Sequence, residues 1–145
     1  METNKKVKLS MNLFVLLLLY ITSVKSIFAT SELDSFLART SVTIYNQMKD
    51  GSNFTVHCKS KDDDLGSHVV QVGSPYEWKF RVNFFATTLF FCDAYWKDKS
   101  IGFNGYEAKR DLSRCPWECV WKGSEDGLFG YMEGYTDPDL HYAWK

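Results

Sequence analysis

From residue 40 onward the chain is written in short alternating runs. Phe54, Val56 and Cys58 share one parity, and Asn53, Thr55, His57 and Lys59 the other. Side chains on a strand point to opposite faces with period two, so one set is buried and the other wet. Tyr76, Trp78, Phe80 and Val82 alternate in the same way with Glu77, Lys79 and Arg81. Residues 88–96 are apolar at nearly every position, as a central strand should be. Further strands are predicted over 42–45, 68–72, 101–107, 117–122 and 128–132. Trp117, Cys119 and Trp121 are expected inward, Trp78 with them, while Trp96 and Trp144 are the candidates for exposure. Asp50-Gly51 predicts a hairpin joining the first two strands. Gly73-Ser74-Pro75, Lys97-Asp98-Lys99 and Glu125-Asp126-Gly127 mark further turns. Residues 31–39 read as a short lead-in in which one helical turn is expected. No long helical period appears, so the fold class is all-β: a small antiparallel β-sandwich.

The first thirty residues follow another pattern. Lys5, Lys6 and Lys8 precede an unbroken apolar run from Leu13 to Ile21, and small and polar residues follow. This is the layout of a secretory signal peptide over residues 1–29, with cleavage after Ser26 or Ala29. The apolar run is short for a membrane anchor, which needs about 20 residues. The mature domain is then 30–145. No membrane insertion of the mature chain is expected. Losing residues 1–29 removes four lysines and one glutamate and takes the formal charge from −1 to −4. An acidic chain without a basic stripe is not built for nucleic acid.

Export changes the meaning of the four cysteines, Cys58, Cys92, Cys115 and Cys119. An even number in a short secreted domain forms disulfides. Zinc is disfavoured because Cys58 and Cys92 lack a second paired knuckle. Alternation places Cys58 and Cys119 inward on different strands, so the expected bridges are Cys58–Cys119 and Cys92–Cys115. A Cys115–Cys119 bridge would be out of reach in an extended segment. Asn53-Phe54-Thr55 is an N-glycosylation acceptor.

The sequence from Val56 to Gly66 (VHCKSKDDDLG) resembles the plant self-incompatibility protein family. So do Trp78-Lys79-Phe80-Arg81 with Asn83, and Thr88-Leu89-Phe90-Phe91-Cys92. So do Ala108-Lys109-Arg110-Asp111, Cys115, Cys119, Trp121 and Glu125-Asp126-Gly127. These motifs cover nearly all of residues 40–130; Val82 and Ala86 depart from the pattern. The resemblance implies a secreted β-sandwich with two disulfides. It also implies a pistil-type recognition ligand, read by a pollen membrane protein in the members with known roles.

Other chemistries are weaker. His57, His68 and His141 have no spacing that makes them converge on a phosphate, and no nucleophile elbow or H-E-x-x-H occurs. No catalytic residue, metal ligand or cofactor is assigned. Asp62-Asp63-Asp64 lacks a spaced calcium-ligand pattern and is a solvated loop. The expected function is a monomeric extracellular ligand of a cell-surface receptor. The rivals are a cell-wall carbohydrate-binding or inhibitor module and a small secreted hydrolase. Binding residues are expected in two charged loops, 61–67 and 109–117. They are Lys61, Asp62, Asp63 and Asp64 in the first, and Lys109, Arg110, Asp111 and Arg114 in the second.

Overall fold

The computed structural model describes residues 11–23 and 39–145. The lead-in 31–38 and both proposed cleavage positions lie outside the described residues. Residues 11–23 form a helix, α1, carrying the apolar run. Among the described residues no helix is long and apolar enough to cross a membrane.

The second unit is all-β apart from one helical turn. Its elements are β1 (Thr40–Asn46), β2 (Phe54–Lys59), β3 (Asp64–Val70), β4 (Tyr76–Phe80), β5 (Leu89–Trp96) and β6 (Lys99–Glu107). Then come α2 (Ala108–Asp111), β7 (Glu118–Ser124), β8 (Gly127–Tyr131) and β9 (Pro138–Tyr142). They make a five-stranded sheet in the order β4-β1-β7-β8-β9 and a four-stranded sheet in the order β3-β2-β5-β6. The two sheets and two disulfides are the expected sandwich. Every pairing is antiparallel except β1 with β7, which is parallel.

The period-two pattern fills the core as expected. Val42, Ile44, Phe54, Val56, Cys58, Trp78, Phe90, Cys92, Phe103, Cys119, Trp121 and Leu128 are all buried. Rings dominate the contacts: Phe103 meets Trp121 edge-on at 4.9 Å, and Phe80 meets Tyr106 at 4.7 Å. Aromatic pairs in these geometries add stability beyond the area they bury.

The structure differs from the sequence reading at several points. Asp50-Gly51 does not close a hairpin, because β1 and β2 belong to different sheets. Residues 47–53 instead form a corner organised by the buried Asn46. Its Nδ2 donates to the carbonyls of Ser52 and Val70, both at 2.9 Å, and its Oδ1 accepts from Met48 N. One amide thus replaces the ladder bonds that the corner forfeits. Strand β9 was not anticipated. Proline can open an edge strand, where its missing N–H is not needed, and only Leu140 and Tyr142 carry the alternation.

Trp117 is 49% exposed rather than core. It precedes β7 in a bend, so the phase of Cys119 and Trp121 does not extend back to it. Trp96, expected outside, is buried and donates Nε1–H to Ser52 Oγ. Trp144 is half-buried over Phe54 and Trp96, and donates to Ser124 O.

The expected disulfide pairing is overturned. The bridges are Cys58–Cys92 and Cys115–Cys119. Cys58 and Cys92 are register partners on adjacent strands, so two inward cysteines meet sideways within one sheet and not across the core. The segment 115–119 is not extended: it bends at Pro116, and the Cα atoms of Cys115 and Cys119 lie 5.1 Å apart.

Candidate functional site

Strand directions sort the loops into two poles. The Asn53 pole carries 47–53, 71–75, 97–98, 125–126 and the last residues. The Ser60 pole carries 60–63, 81–88, 108–117 and 132–137. Both predicted binding loops therefore fall at the same pole.

The first loop is shorter than expected, because 64–67 already belong to β3. Ser60 builds the turn. Its Oγ accepts from Asp62 N and Asp63 N, and its own N–H donates to Asp63 O. Backbone donors are thereby satisfied locally, and Lys61, Asp62 and Asp63 stay exposed. Asp64 is tied back: it accepts from Gly66 N at 2.9 Å and pairs with His57 Nε2 at 2.6 Å. The Gly66 N–H first, and His57 second, hold its carboxyl below the usual range.

In the second loop Arg110, Asp111 and Arg114 turn inward, and this corrects three of its four candidates. Asp111 has no exposed side chain and accepts four hydrogen bonds. They come from Glu107 N, Arg110 Nε, Arg110 Nη2 and Arg114 Nη1. Arg114, also buried, holds Asp139 through Nε and Nη2 at 2.6 Å each. This bidentate pair is the first cause of a lowered Asp139 carboxyl. Arg110 is mostly covered as well. A buried carboxylate is stable only when its lone pairs are met by donors, and these arginines meet them. Asp111, Arg110 and Arg114 therefore brace the fold; Lys109 alone of the four is exposed. Asp111 also lies near the sulfurs of Cys115 and Cys119, but those two are joined to each other and are not free thiolate ligands.

The connection 81–88, to which the sequence reading assigned no binding residue, is a third loop of this pole; the strand expected to run to Val82 ends at Phe80. Asn83 organises the loop with its side chain and both backbone groups. Its Oδ1 accepts from Thr87 N and its Nδ2 donates to Thr87 Oγ1, each at 2.8 Å. Its N–H donates to Thr88 Oγ1, and its carbonyl accepts from Ala86 N. Ala86 takes φ = 51°, which turns the chain back. The result is a closed loop that displays Phe84 at 78% exposure and Phe85 at 81%. Two adjacent phenylalanines after a cleanly alternating strand were the available signal. They break period two where no strand continues.

Beside this loop lies a cleft of about 570 Å³. Lys61, Asp62 and Asp63 line one wall; Lys79, Arg81 and Asn83 line another, with Phe80 and Phe90 contributing apolar surface. Both charge signs are present, which suits a partner of mixed charge.

A smaller hollow of about 180 Å³ lies on the outer face of the five-stranded sheet, between Glu118, Lys122, Tyr131, Glu133 and Tyr135. Lys122 Nζ stands 4.2 Å above the Tyr131 ring.

The three histidines occupy separate places. His57 pairs with Asp64; His68 stacks on Tyr76 and contacts Leu65 O; His141 stacks on Phe129 and contacts Asp126 O.

Against known proteins, a family model described as plant self-incompatibility protein S1 matches residues 41–144. The chain is 38% identical over 120 residues to self-incompatibility protein S1 of Papaver rhoeas, covering 81% of this chain and 86% of that one. It is 44% identical over 106 residues to S-protein homolog 6 of Arabidopsis thaliana, covering 72% and 76%. A solved structure of SPH (self-incompatibility protein homologue) proteins superposes with a TM-score of 0.61 at 14% identity, over 74% of this chain and 96% of that one. It is described as coming from a widespread family of small, highly stable, secreted plant proteins.

Proposed function

This chain belongs to the plant self-incompatibility protein S1 family, and we propose that it is a secreted recognition ligand whose Ser60 pole is bound by a cell-surface receptor protein. Residues 1–29 are the leader that directs export. The observation that carries the reading is the display of Phe84 and Phe85 on a loop closed by Asn83. The two large rings stand side by side in an exposed apolar patch, and such patches mark interaction sites. Rigid aromatics are the side chains that dominate binding energy at protein interfaces. The pre-closed loop also spares part of the ordering cost of association. Lys61, Asp62, Asp63, Lys79 and Arg81 around the neighbouring cleft select among partners by charge.

Labelled protein should bind plant plasma-membrane vesicles saturably, and trypsin treatment of the vesicles should abolish that binding. Binding that survives trypsin, or none to any plant membrane, contradicts the proposal. The activity is non-catalytic, so a folded chain with His57, His68 and His141 all changed to Gln keeps its binding.

One observation favours carbohydrate as a second reading. Tyr131 and Tyr135 give the small outer hollow an aromatic lining. Quenching of tryptophan fluorescence by neutral cell-wall oligosaccharides, lost in Tyr135→Ala, would support it.

A further inference from the structure

Asn53-Phe54-Thr55 meets the acceptor rule for N-linked glycans, and its surroundings say where such a glycan lies. Asn53 is exposed and directly precedes β2. Phe54 is buried in the core, so Thr55 belongs to the opposite, outer face of the four-stranded sheet. Thr55 is the register partner of Val69 on one side and of Tyr95 on the other. Those two neighbours are 57% and 51% exposed, Val69 on the edge strand β3 and Tyr95 on the inner strand β5, so they flank Thr55 with apolar surface open to solvent. The corner before Asn53 is fixed. Asp50 accepts from Ser52 N and pairs with Lys97, which lies over the Trp96 ring.

We propose that Asn53 carries an N-linked glycan whose first sugars pack on the outer face of the four-stranded sheet, against Val69 and Tyr95. The C–H face of an N-acetylglucosamine ring is apolar and stacks on an aromatic ring, while its hydroxyls stay in water. Thr55 supplies the hydroxyl that the acceptor sequence requires. Covering Val69 and Tyr95 removes apolar surface from water and stabilises the folded chain. Strand β2 spans about 20 Å, so a glycan at its start leaves the Ser60 pole open. The inference needs the chain to enter the secretory lumen, and in that respect alone it rests on the function proposed above.

The test places a heterologous signal sequence ahead of the full chain, so that entry does not depend on residues 1–29. The protein is expressed in mammalian cells and its mass is taken before and after peptide-N-glycosidase F. The expected result is a glycan mass that the enzyme removes, with Asn53 converted to Asp, and no such mass in Asn53→Gln. Glycosylated protein should melt about 3 °C or more above the deglycosylated form. Tyr95→Ala should lose at least half of that increment, Val69→Ser likewise, and Phe85→Ala none of it. A folded secreted chain with unmodified Asn53 overturns the modification. A full increment in both Tyr95→Ala and Val69→Ser overturns the packing. A chain with only its own leader that stays inside the cell counts against the proposed function and leaves this result standing.

Discussion

Cys58 and Cys92 stand opposite each other on neighbouring strands β2 and β5, their Cα atoms 4.0 Å apart, and their bridge ties one sheet to itself. The other bridge joins the bend at Cys115 to β7. No disulfide crosses between the sheets, so the sandwich is held face to face by packing and by hydrogen bonds such as those of Asn46 to Val70 O and of Trp121 Nε1–H to Gly105 O. The two bridges close loops of different size, with sequence separations of 34 and 4. On the chain-entropy account, Cys58→Ser with Cys92→Ser costs about 4 kcal/mol, and Cys115→Ser with Cys119→Ser about 2 kcal/mol. Urea unfolding of the two double variants checks the order. A non-reducing peptide map should link 58 to 92 and 115 to 119.

The Arg114–Asp139 pair makes stability depend on pH. The Asp139 carboxyl is lowered by Arg114, so its contribution is present above the usual carboxylate range and is lost as pH falls through the folded value. Asp139→Asn should cost about 1–2 kcal/mol at neutral pH, discounted for its partial exposure. The difference from wild type should shrink as pH falls below the usual carboxylate range and the folded carboxyl takes up its proton. Asp111→Ala strips the buried Arg114 and the half-buried Arg110 of a shared partner and should cost about 3–5 kcal/mol. Urea midpoints at several pH values decide both.

Gly105 is required by the Cys58–Cys92 bridge. A Cβ there would come within 2.7 Å of Cys92 Sγ and 3.4 Å of the Trp78 ring. Neither neighbour can yield, since one is cross-linked and the other lies in the core. Gly105→Ala should therefore destabilise by about 1–3 kcal/mol, seen as a lower melting temperature with the disulfides intact.

The sandwich was legible because alternation is a local signal. Phe54, Val56, Cys58, Trp78 and Trp121 each declare their face through their immediate neighbours. Which strands share a sheet is not local. Asp50-Gly51 has hairpin chemistry, yet the corner it occupies is decided by Asn46 reaching Ser52 and Val70. The disulfide pairing failed for the same reason. An inward cysteine can meet a partner across the core or beside it, and only the sheet order distinguishes the two. At the candidate site, the Ser60 turn was visible as a charged run. Arg110, Asp111 and Arg114 have the same surface-loop composition, but their charges pair with one another and with Asp139 out of solvent. Phe84 and Phe85 resembled core residues in type, and their exposure depends on the side-chain bonds of Asn83.

Asn83 is a positioning residue for those two rings. Asn83→Ala removes both bonds to Thr87 while touching no core side chain. Stability should fall by about 1 kcal/mol or less. Affinity for the receptor should fall about tenfold, as the loop must be ordered on binding. Equal affinity in a folded Asn83→Ala chain would remove pre-organisation from the account.

The most direct test is the affinity of four folded variants for trypsin-sensitive sites on plant plasma-membrane vesicles. Phe84→Ala and Phe85→Ala lie on the 81–88 loop of the Ser60 pole, Tyr135→Ala on the 132–137 loop of the same pole beside the outer hollow, and Tyr95→Ala on the outer face of the four-stranded sheet. If the 81–88 loop with its cleft is the bound part of the Ser60 pole, each phenylalanine variant weakens binding by about tenfold or more, within the range of interface hot spots. Tyr135→Ala and Tyr95→Ala then bind like the wild type. Undiminished binding by both phenylalanine variants, with a loss in Tyr135→Ala or Tyr95→Ala, would contradict the account.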